Sequence, residues 1–325
     1  MQRSCEERKG RTYLVRTNGR VRSIVSTRTR IRETTLLVGA ATDPGPVREQ
    51  NEDAVLITDP ASPEVQECGV LLAVADGMGG YRGGEVAAQL AVETLRAQFY
   101  AAPVQPTEIA KRLEQAFRAA NERIYREWEP QGETHLMGTT LVAAVIRGDS
   151  LTVANVGDSR AYLVRARRAT QITRDHSLVA EQVEAGLLTP DEARGSSYRN
   201  VITRALGYRP RVDIDIFEVR LMSDDRIVLT TDGVHDVVKD DEIASVVLAE
   251  SPERAARTLV EKALASGTQD NATAVVAWLK PADLPVEPSP AAEESSSRWM
   301  IVLLIIGLLV FIALIGVILV LGPGG

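Results

Sequence analysis

From Thr35 onward, short apolar runs alternate with longer stretches in which apolar residues recur every three or four positions. Leu36-Leu37-Val38, residues 53–58 and residues 69–75 predict strands; the last is a nearly unbroken apolar run, as expected of a strand covered on both faces. Residues 85–100 and 107–128 predict helices, the second carrying Ile109, Leu113, Ala116, Phe117 and Ala120 at helical spacing, with Thr107 as an N-cap behind Pro106. Strands return at 139–146, 151–156 and 161–164. Arg147-Gly148-Asp149-Ser150 reads as a first hairpin turn and Gly157-Asp158-Ser159 as a second. Short helices at 177–187 and 190–194 suggest a mobile insertion. Strands at 212–219, 226–230 and 272–279 complete the pattern, with helices at 240–249 and 252–265 between the last two. Strands grouped around helix pairs predict an α+β domain of two packed sheets flanked by helices.

The two ends break this pattern. Residues 1–32 are rich in Arg and Thr without apolar periodicity, and read as a basic, disordered tail or as an arm for anionic lipid. No apolar stretch follows them, so they are not a secretory signal. The folded domain is expected over 33–280. Residues 281–298 are a Pro-, Ser- and Glu-rich linker. Residues 299–321 then run without a charged side chain, long enough to cross a hydrocarbon core of roughly 30 Å, and predict a transmembrane helix. A globular helix would show a polar face, and this run has none. Only Gly-Pro-Gly-Gly follows. Lys280 and Arg298 on its N-terminal side weakly favour a domain held in the cytoplasm by a single-pass C-terminal anchor.

Composition narrows the class. With 45% apolar residues but 4% aromatics, a sizeable core must be built from Val, Leu, Ile and Ala. A formal charge of −7 argues against a nucleic-acid partner, which needs a basic face. Cys5 and Cys68 are too few for a disulfide framework and suit a reducing compartment. Cys5 and Arg11 match the Cys-x5-Arg spacing of cysteine-dependent phosphatases. They lack the strand and helix that would aim backbone N–H groups at phosphate, so the match reads as chance.

Chemistry concentrates at four acidic stations: Asn51-Glu52-Asp53, Asp76-Gly77-Met78-Gly79-Gly80, Thr231-Asp232-Gly233 and Asp270-Asn271. Each sets a carboxylate at the edge of a predicted strand. Carboxylates converging from strand ends repel unless hard cations such as Mg²⁺ or Mn²⁺ lie between them. With Val47-Arg48-Glu49-Gln50, Met137-Gly138-Thr139-Thr140 and Gly157-Asp158-Ser159-Arg160, the set resembles the metal-dependent type 2C Ser/Thr protein phosphatases. The resemblance runs from about Thr35 to Leu279.

That resemblance implies an α-β-β-α four-layer sandwich with the site in a cleft at one end. It makes Asp76 the bridge between two Mn²⁺ or Mg²⁺ ions, with an oxygen added by the Gly77 carbonyl. Asp232 and Asp270 complete one ion's shell, Glu52 binds the other, and Asp158 corresponds to the ligand of a third, weaker metal. Asp53 would orient the attacking water and Arg48 would grip phosphate with its two-pronged guanidinium. The implied reaction is direct attack on phospho-Ser or phospho-Thr by a hydroxide bridging the metals, without a phosphoenzyme. The implied partners are phosphorylated proteins, among them a bacterial Ser/Thr kinase. Met78 stands where eukaryotic members often carry a His proposed to protonate the leaving group, and Met cannot donate a proton. Ser196-Ser197-Tyr198 departs from relatives at the end of the flap, where substrate preference is set. His176 reads as a capping or packing residue rather than a catalytic one. Two other readings are an inactive phosphoprotein-binding scaffold, which would have lost a metal carboxylate, and a phosphatase for an anti-sigma-factor antagonist, which would usually carry a sensory domain.

Overall fold

Alternate residues of one strand belong to two different cores, and this organises the molecule. In Val70–Ala75, residues Leu71, Ala73 and Ala75 pack in one apolar cluster and Val70, Leu72 and Val74 in another. Successive strand side chains point to opposite faces, so an unbroken apolar run is what a strand buried on both sides requires. The computed structural model of the chain describes residues 13–14, 22–31, 34–79, 83–128 and 137–281.

Two six-stranded antiparallel sheets stack face to face. The first runs in the order β1 (Tyr13–Leu14), β4 (Ala54–Ile57), β5 (Val70–Ala75), β8 (Leu141–Arg147), β9 (Ser150–Val156) and β12 (Asp215–Arg220). The second runs β11 (Arg168–Gln171), β10 (Arg160–Arg165), β13 (Arg226–Thr230), β14 (Ala272–Pro281), β3 (Thr34–Asp43) and β2 (Arg22–Ile31). A two-stranded ribbon pairs β6 (Gly77–Met78) with β7 (Gly138–Thr139). Helices α2 (Gly83–Phe99) and α3 (Ile109–Trp128) cover the first sheet through Ala87, Ala91, Leu95, Leu113 and Phe117. Helices α7 (Asp240–Ala249) and α8 (Pro252–Ala265) cover the second through Ile243, Val247, Leu259 and Val260. Between the sheets, Val55, Leu72 and Val74 meet Val38, Leu229 and Val275. Three apolar layers therefore separate four layers of structure, the expected α-β-β-α sandwich.

Several elements depart from the sequence-based expectation. Arg22–Ile31, placed in a disordered tail, is an edge strand paired antiparallel with β3. Its run of Ile, Val and Thr suits an extended backbone, and its lack of apolar periodicity suits a sheet edge. Gly157-Asp158-Ser159 is not a hairpin turn: β9 belongs to the first sheet and β10 to the second, so this segment crosses between sheets. The short helices α1 (Pro63–Cys68) and α6 (Asp232–His235) and strand β11 were not anticipated. Pro106 opens a 3₁₀ turn with Gln105 as its N-cap, so α3 starts at Ile109 rather than behind Thr107. α4 (Leu178–Glu184) and α5 (Pro190–Gly195) form where short helices were expected, each with a Ser or Thr N-cap that accepts a backbone N–H.

The chain divides into two units, Met1–Leu284 and Pro285–Gly325. The predicted linker beyond residue 281 and the predicted transmembrane helix at 299–321 lie outside the described residues. Among the described residues, no helix is long and apolar enough to cross a membrane.

Candidate metal centre

Strand register carries the acidic stations to one end of the sandwich. Ala54 opens β4 opposite Ala75, which closes β5, so Asp53 and Asp76 emerge side by side. Leu141 opens β8 opposite Val156, which closes β9, and Asp158 follows at that same end. In the second sheet, Thr230 closes β13 opposite Ala274 near the start of β14, so Asp232 and Asp270 flank one edge. Antiparallel pairing makes the end of one strand the neighbour of the start of the next. Five acids distant in sequence become neighbours for that reason alone.

Backbone contacts fix the meeting point. Thr139 Oγ1 donates to the Asp76 carbonyl at 2.8 Å, Thr140 N donates to it at 2.9 Å, and Asp76 N donates to Thr140 Oγ1 at 3.0 Å. Thr139 and Thr140 thus hold Asp76 from behind. Gly77 lies so close to α2 that a Cβ would stand 2.2 Å from the Gly84 carbonyl oxygen and 2.6 Å from that of Glu52. A Cβ on Gly233 would stand 2.0 Å from the Asn271 carbonyl oxygen. Glycine at this second position is what lets the Asp232 turn close on the Asp270-Asn271 turn.

Asp53 is buried and held on one side only. Its Oδ2 accepts from Thr231 Oγ1 at 2.9 Å and from Thr273 Oγ1 at 2.5 Å. Its Oδ1 is buried without a hydrogen-bond partner. Oδ1 of Asp158 and Oδ1 of Asp232 are in the same state. Burial pushes the Asp53 carboxyl up to about 7, against the two hydroxyl bonds that favour its charged form. Burial, then the charges of Asp236 and Asp270, raises Asp232 to about 6. Burial and the neighbouring charges of Asp232, Asp53, Asp158 and Asp270 push Asp76 well above the usual carboxylate range. Asp158 is raised by burial and then by Asp232 and Asp175. Glu52 is raised by burial, with Arg48 pulling the other way.

An all-oxygen set of buried and half-buried carboxylates that oppose one another's ionisation, three with an unbonded buried oxygen, fits hard divalent cations. Among the described residues no three such side chains close around a single point. A two-ion site that also draws on backbone and water oxygens needs no single three-carboxylate cage.

Arg48 is brought to the same cleft. Its Nη2 donates to Asp270 Oδ2 at 2.7 Å, so a predicted phosphate-binding residue pairs with a predicted metal ligand. With about half of its side chain exposed, Arg48 is free to exchange that partner for an incoming anion. Asn271, quoted in the sequence only as the neighbour of Asp270, emerges as a clamp. Its Oδ1 accepts from Glu52 N at 2.8 Å, and its Nδ2 donates to Pro44 O at 2.9 Å and Gln50 O at 3.0 Å. Thr231 and Thr273 likewise acquire a role only through the fold. Asp-Asn dipeptides and strand threonines are too common to single out beforehand.

His176 is buried, accepts from Gly157 N through Nδ1 at 3.1 Å, and lies 3.3 Å from Asp215 through Nε2. Burial and the nearby Arg204 lower its proton affinity. It braces the crossover that carries Asp158, while Ser177 next to it caps α4. Met78 pairs with Gly138 in the small ribbon beside Asp76.

A sandwich with an acidic cleft of this kind defines a metal-dependent hydrolase scaffold. The family described as Protein phosphatase 2C matches residues 45–272. The chain belongs to this family, whose members depend on Mn²⁺ or Mg²⁺. It is 37% identical over 244 residues to the serine/threonine protein phosphatase PstP of Mycobacterium tuberculosis, covering 74% of this chain and 45% of that protein. It therefore spans about half the length of that relative. It is 33% identical over 238 residues to the serine/threonine phosphatase stp of Listeria welshimeri, covering 72% of this chain and 92% of that one. The crystal structure of the PstP catalytic domain in complex with two manganese ions superposes with a TM-score of 0.64. It is 36% identical, covering 75% of this chain and 98% of that one.

Proposed function

We propose that this chain is a metal-dependent phosphatase of phospho-Ser and phospho-Thr proteins that works against a Ser/Thr kinase in signalling. The observation that carries this reading is the set of buried carboxylates with unbonded oxygens at one end of the sandwich. Asp76, Asp232, Asp270 and Glu52, with the Gly77 carbonyl, would hold two ions, and Asp158 a third. Bound there, the ions would lower the pKa of water and screen charge on the phosphoryl group. Arg48 would bind two phosphate oxygens, leaving Asp270 to its metal. Asp53, fixed through Oδ2 by Thr231 and Thr273, offers its unbonded Oδ1 to orient water and accept its proton. Met78 has no proton to donate, so the leaving alkoxide would take its proton from solvent.

Membrane attachment through residues 299–321, with the catalytic domain on the cytoplasmic side, belongs to the same proposal and rests on the uncharged run in the sequence. Purified protein should release phosphate from phosphothreonine peptides in Mn²⁺ and stop when chelator is added. Hydrolysis indifferent to chelator would reject the metal-dependent reading. Membranes from cells making the full chain and a form ending at Leu279 would test attachment: recovery of both forms in the soluble fraction would reject it.

A further inference from the structure

A strap of residues 206–211 joins the carboxylate cleft to a basic groove on the outside of α3. At its start, Leu206 and Thr139 exchange backbone hydrogen bonds at 2.9 and 3.1 Å, and the Thr139 hydroxyl holds the Asp76 carbonyl. At the next residues the buried Asn121 of α3 clasps the strap, accepting from Gly207 N at 2.9 Å and donating to Arg209 O at 3.0 Å. Beyond the clasp lies a groove of about 350 Å³ lined by Arg118, Tyr125, Arg126, Arg211 and Val212. A neighbouring groove of about 390 Å³ lies between α2 and α3, shares Glu122 and Arg126 with the first, and adds Arg123.

Arg123, Arg209 and Arg211 are exposed, and no ion pair engages them among the described residues. Arg118 and Arg126 pair with Glu114 and Glu122 one helical turn away. Solvent-exposed pairs of this spacing are weak and exchange readily. On a chain of formal charge −7, this is a local concentration of positive charge on a rigid support.

We propose that this groove docks an acidic stretch of the polypeptide substrate whose phosphorylated residue lies in the cleft. The proposal rests on the phosphatase reading above and adds its substrate preference. The strap bounds the separation: from residue 206 to residue 211 a chain spans at most about 17 Å, so a substrate segment following it needs no more than about five residues to reach the groove. A peptide fits better than a nucleic acid. Tyr125, Pro210 and Val212 offer apolar contact between side-chain charges, which a peptide can use and a continuous phosphate backbone cannot.

Two measurements on the full chain test this. A fluorescein-labelled, unphosphorylated peptide rich in Asp and Glu should bind the wild-type protein by anisotropy, weaken as salt rises, and weaken about tenfold or more in R209E/R211E. R209K/R211K should retain it, which separates lost charge from a misfolded strap. Phosphothreonine peptides with acids starting about five residues away, on either flank, should show a KM several-fold below that of a neutral peptide on one flank. R209E/R211E should erase this difference while turnover of a small aryl phosphate stays unchanged. Equal binding by wild type and R209E/R211E, no binding by either, or binding only of single-stranded DNA or phosphatidylserine vesicles would overturn the proposal. Absence of aryl phosphate turnover by the wild type would reject the phosphatase reading instead, and the anisotropy result would still decide the docking site.

Discussion

Replacing Asn271 with Ala should loosen the loop that carries Arg48 and Glu52, at a cost that can be worked from three hydrogen bonds. Asn271 is buried, and its side chain satisfies Glu52 N, Pro44 O and Gln50 O. In Asn271→Ala the Glu52 N–H loses its acceptor in a half-buried site, which costs about 1–3 kcal/mol. The two carbonyls lie on the outer loop and can turn to water, so each adds only about 0.5–1 kcal/mol. The sum is about 2–5 kcal/mol. With a urea dependence of about 3 kcal/mol per molar for a domain of this size, the unfolding midpoint should fall by about 1 M. Asn271→Asp separates the contributions, because it keeps the acceptor for Glu52 N while losing both donors and adding a charge beside Asp270. It should keep part of the stability yet alter metal binding. The assay is urea unfolding followed by tryptophan fluorescence, with Mn²⁺ titrated by calorimetry on each variant. An Asn271→Ala midpoint within about 0.2 M of wild type, with unchanged Mn²⁺ affinity, would refute the clamp.

Other substitutions probe the cleft directly. Asp76→Asn and Asp232→Asn keep shape but remove charge from the proposed ion-binding set, so turnover of an aryl phosphate in Mn²⁺ should fall at least about a hundredfold; near-wild-type rates would sink the two-ion assignment. Arg48→Ala should raise KM and lower kcat/KM while calorimetry finds the ions still bound; an unchanged KM would remove Arg48 from phosphate binding. The pH dependence follows from carboxyls raised above their unfolded values. A folded state that holds protons more tightly than the unfolded one loses stability as pH rises from the unfolded value near 4 through the folded values, here about 6 for Asp232 and about 7 for Asp53. Chelated protein should therefore become less stable across pH 4–7, and Mn²⁺ should reverse the trend. A flat profile in chelator would mean that these carboxyls are not held protonated.

Much of this protein was legible in its chain because the signals are local. The doubly buried strand β5, the amphipathic α3 and the turn residues around Asp76, Asp232 and Asp270 follow from periodicity and short-range chemistry. The acidic stations could be recognised together because their order along the chain is itself a pattern. What the sequence left open was pairing. A Gly-Asp-Ser turn between two strands looks like a hairpin whether they share a sheet or not; only the stacked sheets make it a crossover that delivers Asp158 to the cleft. An Arg- and Thr-rich stretch reads as a tail until the exposed edge of β3 gives its backbone N–H and C=O groups partners. Asn271, Thr231 and Thr273 carry no signal of their own, since their importance lies in hydrogen bonds to residues some 40 to 230 positions away. Hydrophobic period and turn preference are properties of neighbouring residues, so the sequence determines them. Register, long-range hydrogen bonds and the meeting of like charges depend on which surfaces pack together, and only the tertiary structure decides those.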